Sequence, residues 1–259
     1  MLRSRVIPVL LLRHGSLVKT VRFKRLNYIG DPCNTLRIFN ELEVDELILL
    51  DIVASKNKRS PNLPLLKNIA SECFMPLAYG GGIASLKEAK AVLDIGFEKV
   101  AINTSALRSP QLISELSSQY GSQAVIVSID VKKRFCGKSE VICHDRRVKH
   151  IKCPIEFAKY AEKLGAGEIL LTSVDREGTW SGLDLELVAA VAQSVSIPVI
   201  AHGGVGCVQD IEKAVNEASA SAVGLGSLVV YQKKGMGVLV NFPDTQDLDL
   251  IIGSSQNEL

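Results

Sequence analysis

Short apolar runs recur at near-regular intervals along the chain: Val6–Leu12, Glu46–Ile52, Met75–Tyr79, Lys99–Asn103, Ala124–Ile129, Glu168–Thr172, Pro198–Ala201 and Ala222–Leu225. They are continuous rather than alternating, so each is expected to be a strand buried on both faces. Between most of them the apolar residues fall at helical spacing, over Pro64–Cys73, Leu86–Leu93, Pro110–Tyr120, Ile155–Leu164, Leu185–Ser194 and Cys207–Asn216. Strands alternating with helices predict parallel pairing through crossovers. Eight such units in 259 residues suit one closed (β/α)8 TIM barrel better than an open doubly wound sheet. No Gly-x-Gly-x-x-Gly follows the first strand, the fingerprint of the dinucleotide-binding open sheet.

The chain is also doubled. "DELILLDI" at 45–52 is similar to "GEILLTSV" at 167–174, and "PLAYGGGI" at 76–83 to "PVIAHGGV" at 198–205. Both pairs are offset by about 122 residues, which predicts two half-barrel repeats. The third and seventh strands are followed by Gly81, Gly82 and by Gly203, Gly204; the fourth and eighth by Asn103-Thr104 and Gly226-Ser227. Glycine turns let an anion approach backbone N–H groups, and Thr or Ser adds a hydroxyl donor at a helix start. Two related sites on opposite sides of one mouth imply a long substrate with a phosphate at each end. For either loop alone, a tight turn is the simpler explanation.

Composition narrows the classes. Hydrophobic residues make up 47% of the chain and charged residues 22%, enough for a sizeable core and unlike a disordered segment. A formal net charge of +2 does not point to nucleic acid or a membrane surface. No apolar stretch is long enough to span a bilayer, and the basic N-terminus lacks signal-peptide architecture. Six cysteines, at 33, 73, 136, 143, 153 and 207, form no Cys-x-x-Cys pair. Free thiols and a cytoplasmic location are expected. Neither a cofactor nor a metal is expected: Cys143 and His144 adjoin but lack ligand spacing.

The chemistry of such a barrel belongs at the ends of its strands. The first strand ends Leu10-Leu11-Leu12, without an acid, and enters a loop carrying Arg13, His14 and Lys19. Asp51 ends the second strand and Asp130 the fifth; Thr172 and Asp175 close the sixth, and His202 the seventh. An imidazole there can move a proton near neutrality, bind a phosphate or hydroxyl, or simply pack. Trp180, in "REGTWSGLD", can stack on a heterocycle, shield the mouth or pack its own loop. "RFCGKSEVICHDRRVKH" looks like a surface hairpin with a basic cluster of Arg146, Arg147, Lys149 and His150. From about 232, "KKGMGVLVNFPDTQDLDLII" is Gly- and Pro-interrupted extended sequence in place of an eighth helix, and "VNFP" is expected to lie on the barrel wall.

The chain resembles the cyclase subunit family of imidazole glycerol phosphate synthase, as a diverged paralogue. The resemblance runs from Met1 to about Tyr231 and rests on "GDP" at 30–32, "DELILLDI", "GGGI", "INTSAL", "GSQAVIVSID", "GAGEILLTSVDREGTWSG" and Gly203-Gly204. It implies a (βα)8 barrel that takes ammonia from a separate glutaminase bound at the N-terminal face. The ammonia reacts at the opposite face with a bisphosphorylated ribonucleotide, giving imidazole glycerol phosphate and an aminoimidazole carboxamide ribotide. The family's charged ring at the ammonia entrance corresponds to Arg5, Glu46, Lys99 and Glu168, all of matching type. Such inward charges are expected to alternate in ion pairs. Asp130 stands where the family has one catalytic acid, Leu11 where it has the other, and His202 where a small hydroxyl residue is usual. The resemblance places Lys19, Asp51, Thr172 and Asp175 with the glycine turns in the substrate site.

Leu11 divides the functional reading, because leucine cannot carry a proton and general acid–base help is worth roughly two to four powers of ten. In one reading the histidine-pathway cyclisation survives, another group covering the lost transfers. In a second, the barrel keeps the ammonia conduit and phosphate grip but serves acetamidino modification of a bacterial surface-polysaccharide sugar, with a glutaminase and a further amidotransferase. In a third it is a non-catalytic scaffold that delivers ammonia.

Overall fold

The computed structural model describes residues 4–135, 137–145, 153–244 and 248. Eight parallel strands form the barrel: β1 (Arg5–Arg13), β4 (Leu47–Asp51), β5 (Leu77–Gly80), β6 (Lys99–Ile102), β7 (Val125–Lys133), β9 (Glu168–Ser173), β10 (Val199–His202) and β11 (Ala222–Leu225). They pair in that order, and β11 closes on β1 through Arg5 opposite Ala222 and Pro8 opposite Leu225. All eight runs expected from the sequence are strands, with ends shifted by a few residues. The helices α2 (Leu63–Ala70), α3 (Leu86–Leu93), α5 (Gln111–Tyr120), α6 (Pro154–Lys163), α7 (Leu185–Ala192) and α8 (Val208–Asn216) occupy the expected gaps.

Alternation along each strand sorts the side chains into two cores. On β1, Val6, Leu10 and Leu12 face the helices, while Ile7 and Val9 face the axis. The axis is packed by Ile7, Ile48, Ile126, Leu170 and Ile200 with the small Ala78, Ala101 and Ala222. The interior is therefore a filled core, as usual for this architecture.

Three helices and two strands go beyond the sequence expectation. The loop expected after β1 is a hairpin, β2 (Ser16–Val21) and β3 (Arg25–Gly30), that continues the sheet. Its charged positions interrupt the apolar pattern, because the ribbon stands above the barrel and one of its faces meets the mouth. Helix α1 (Pro32–Glu41) starts where Asp31 caps Asn34 N and Pro32 occupies the first turn, a local start signal. Short helices α4 (Thr104–Arg108) and α9 (Ser227–Val230) follow the fourth and eighth barrel strands.

The hairpin after Asp130 is present: β8 (Ser139–Val141) runs antiparallel to β7. Its basic cluster, Arg146, Arg147, Lys149 and His150, lies outside the described residues, as does Cys136. The other five cysteines are free. After α9 the chain is extended, bridged between Tyr231 and Val238, and Val240 and Phe242 pack against the outer core. No helix among the described residues is long and apolar enough to cross a membrane.

Candidate active site

The inward residues of β1 divide the barrel into levels: Arg5 at the floor, Ile7 and Val9 in the core, Leu11 and Arg13 at the mouth. At the floor the four charges close into an alternating ring. Arg5 lies 2.5 Å from Glu46 and 3.1 Å from Glu168, and Lys99 lies 2.8 Å from Glu46 and 3.0 Å from Glu168. Glu46 and Glu168 are buried, and each is flanked by both cations of the ring. Glu98 is exposed beside them.

The mouth at the other end holds a cavity of about 270 Å³ lined by Asp51, Gly81, Gly82, Asn103, Thr104, Asp130, Thr172 and His202. A recess of about 10 Å³ beside it is lined by Lys19, His202, Gly203, Gly204, Gly226 and Ser227. The two spaces meet at His202 and at Glu177, which line both. The doubling extends to the backbone. Asn103 (φ −119°, ψ −77°) and Gly226 (φ −108°, ψ −88°) adopt nearly the same conformation before their short helices. Gly81 and Gly203 have φ of +126° and +100°, and a side chain on either would press on the carbonyl of Asp51 or Ser173.

Glu177, which the sequence reading did not single out, organises the centre of the mouth. It pairs with buried Lys19, accepts a hydrogen bond from Phe23 N (3.1 Å), and its carbonyl accepts one from Arg22 N (2.9 Å). Glu177 therefore fastens the β2–β3 turn over the mouth and neutralises Lys19 there. Its partners lie more than 150 residues away, so only the general rule that these loops carry function could have found it.

Asp130 is half-buried and held by Asn103, whose amide donates to it at 3.1 Å. Burial, reinforced by the nearby Glu177 charge, pushes its carboxyl up to about 7. It can give or take a proton near neutrality. His202 is turned by Thr172, with Oγ1 3.1 Å from Nδ1. Burial and the Lys19 charge push it down to about 4, so it is a neutral imidazole at neutral pH. As such it offers one donor and one acceptor.

Two expected site residues mainly brace loops. Asp51 borders the cavity, but its Oδ1 accepts from Val53 N and Ala54 N, both at 3.0 Å. Asp175 lies outside both spaces and accepts from Lys133 N at 2.7 Å. Trp180 also lines neither space; its backbone has φ +62° and its carbonyl packs on Gly206. His144 meets the site instead, stacked on Phe23 at 6.5 Å. Among the described residues, no group of three or more His, Cys, Asp or Glu could hold a metal.

A closed (β/α)8 barrel with duplicated glycine turns and an acid at its mouth places the chain among the (β/α)8-barrel proteins whose site lies at the ends of the strands. The chain belongs to the family described as "Histidine biosynthesis protein", whose model matches residues 5–235. It is 47% identical over 250 residues to the "Putative imidazole glycerol phosphate synthase subunit hisF2" of Pseudomonas aeruginosa, covering 96% of this chain and 100% of that protein. It is 42% identical over 233 residues to the imidazole glycerol phosphate synthase subunit HisF of Alkaliphilus metalliredigens, covering 90% and 92%. The cyclase-subunit resemblance drawn from the motifs is thus a family relationship.

Proposed function

We propose that this barrel is the synthase half of a glutamine-dependent pair and uses ammonia on a bisphosphorylated ribonucleotide. The observation that carries the reading is the placement of Asp130 and Glu177 at the mouth, above a floor ring of Arg5, Glu46, Lys99 and Glu168. Ammonia addition, C–N cleavage and ring closure each move a proton. Asp130, with its carboxyl near 7, is the group that shuttles it. Glu177 holds Lys19 in the mouth and takes over the electrostatic part of the acid that Leu11 does not supply. The glycine turns with Thr104 and Ser227 receive the two phosphates, so Lys19 and His202 must shift to widen the smaller recess. His202 donates to, or accepts from, substrate hydroxyls.

At the floor, a glutaminase subunit docks on the polar face that includes Glu98, and ammonia passes between the paired charges. For ammonia to pass, the packed inner core must yield beside its alanines, Ala78, Ala101 and Ala222. In this reading the products are imidazole glycerol phosphate and an aminoimidazole carboxamide ribotide. Purified protein supplied with ammonium salt and the bisphosphorylated ribonucleotide should release both; binding without turnover by folded protein would refute it.

Leu11 supports a second reading, in which the same ammonia-using machinery serves acetamidino modification of a bacterial surface-polysaccharide sugar. Absence of the two histidine-pathway products, with a glutaminase-dependent amidino product in their place, selects it.

A further inference from the structure

The β1 side of the cavity carries two polar groups that no described residue satisfies. Arg13 lines the cavity, and its Nε is buried without a hydrogen-bond partner. Thr20 is 3% exposed, lines the same cavity, and its hydroxyl also lacks a partner. Register puts them on one face: Arg13 opposes Ser16 and Leu11 opposes Val18, so Arg13 and, four residues beyond Ser16, Thr20 both turn toward the mouth on either side of Leu11. Buried donors are normally satisfied. Two orphans in one cavity wall mark hydrogen bonds that a ligand completes.

We propose that Arg13 and Thr20 form a recognition point for an anionic oxygen of the substrate, a carboxylate or a phosphate, held above Leu11. The inference rests on reading this cavity as the substrate site. A guanidinium presents a rigid fork of donors matched to either group, and a hydroxyl adds one more. Lys24 and Lys56 border the same cavity and add positive potential. Leu11 now has a positive role. An acid at that position would pair with Arg13 or repel the incoming anion, whereas leucine leaves the guanidinium free.

The test uses the full chain with ¹⁵N-labelled arginine, in which the Arg13 Nε–H resonance is the one that Arg13→Lys removes. Inorganic phosphate and acetate are titrated separately, with the Gly82 and Thr104 amides followed in parallel. A saturable shift of the Arg13 resonance is expected with at least one ion: phosphate alone identifies a phosphate group, acetate a carboxylate. Thr20→Val should weaken that ion roughly tenfold or more, and unchanged affinity removes the hydroxyl from the proposal. An Arg13 resonance unmoved by both ions overturns it. Should the Gly82 and Thr104 amides still respond to phosphate, the reading of the cavity survives that failure; should they stay still, both fall together.

Discussion

Lys19 and Glu177 form an ion pair across the barrel mouth, with only 5% and 1% of their side chains exposed. One comes from the hairpin after the first barrel strand and the other from the loop after the sixth, β9, so the pair ties two loops across the mouth. Removing either partner leaves a buried charge alone, which costs about 3–5 kcal/mol. Glu177→Gln is therefore expected to lower the urea midpoint strongly. Adding Lys19→Met to it should recover much of the loss, because a buried pair replaced as a whole is close to neutral. Additive losses in the double variant would mean that the two charges are not coupled.

Asp130→Asn separates stability from chemistry. The folded protein holds the Asp130 proton until about pH 7, whereas an ordinary aspartate releases it near 3.8. Between those values the folded state binds more protons, so this group makes stability fall as pH rises toward 7. Asparagine imitates the protonated acid and removes the slope. The variant should melt higher than wild type at pH 8 and equally at low pH, as thermal unfolding across pH will show.

His202 acts in the opposite direction. Its folded value of about 4 lies below the ordinary 6.5, so the unfolded chain takes up the proton first as pH falls. Stability is lost from about pH 6.5 down to about 4, by an amount on the order of 3 kcal/mol. His202→Asn should flatten that limb of the stability profile. A variant with the wild-type acid limb would show that the imidazole is not held neutral.

At the floor, Lys99→Met leaves Glu46 and Glu168 with Arg5 alone. The expected cost is about 3–5 kcal/mol in urea unfolding, together with a weaker response to a glutaminase partner than to added ammonium. Equal losses in both assays would place the defect at the mouth instead.

Gly81→Ala tests the turn that faces the cavity. Its φ of +126° alone makes alanine strained, by about 1–3 kcal/mol, and the new Cβ would lie 2.6 Å from the Asp51 carbonyl oxygen. Gly96, at φ +117°, has open space around it. Gly96→Ala should show the backbone cost only, and Gly81→Ala that cost plus the clash and a loss of phosphate binding.

The barrel was legible because its strands are buried on both faces and leave uninterrupted apolar runs, and because the repeat preserves its glycines. Asp130 was legible for the same reason: a lone acid closes an apolar strand. The β2–β3 hairpin was not, since its strands stand above the barrel and show the mixed pattern of a half-exposed ribbon. Glu177 escaped because an acid in a charged loop looks solvated until Lys19 is brought to it from the far end of the chain. For Asp175 the chain order showed only a place beside a strand end; three-dimensional packing sets its carboxylate against the Lys133 backbone N–H.

The most direct trial compares wild type and Asp130→Asn, both shown folded, in turnover driven by ammonium salt on a phosphorylated acceptor. Loss of at least a hundredfold in the variant is the outcome expected if the Asp130 carboxyl carries the protons of amination. Equal rates in the two proteins would contradict that role and leave the barrel as a conduit alone.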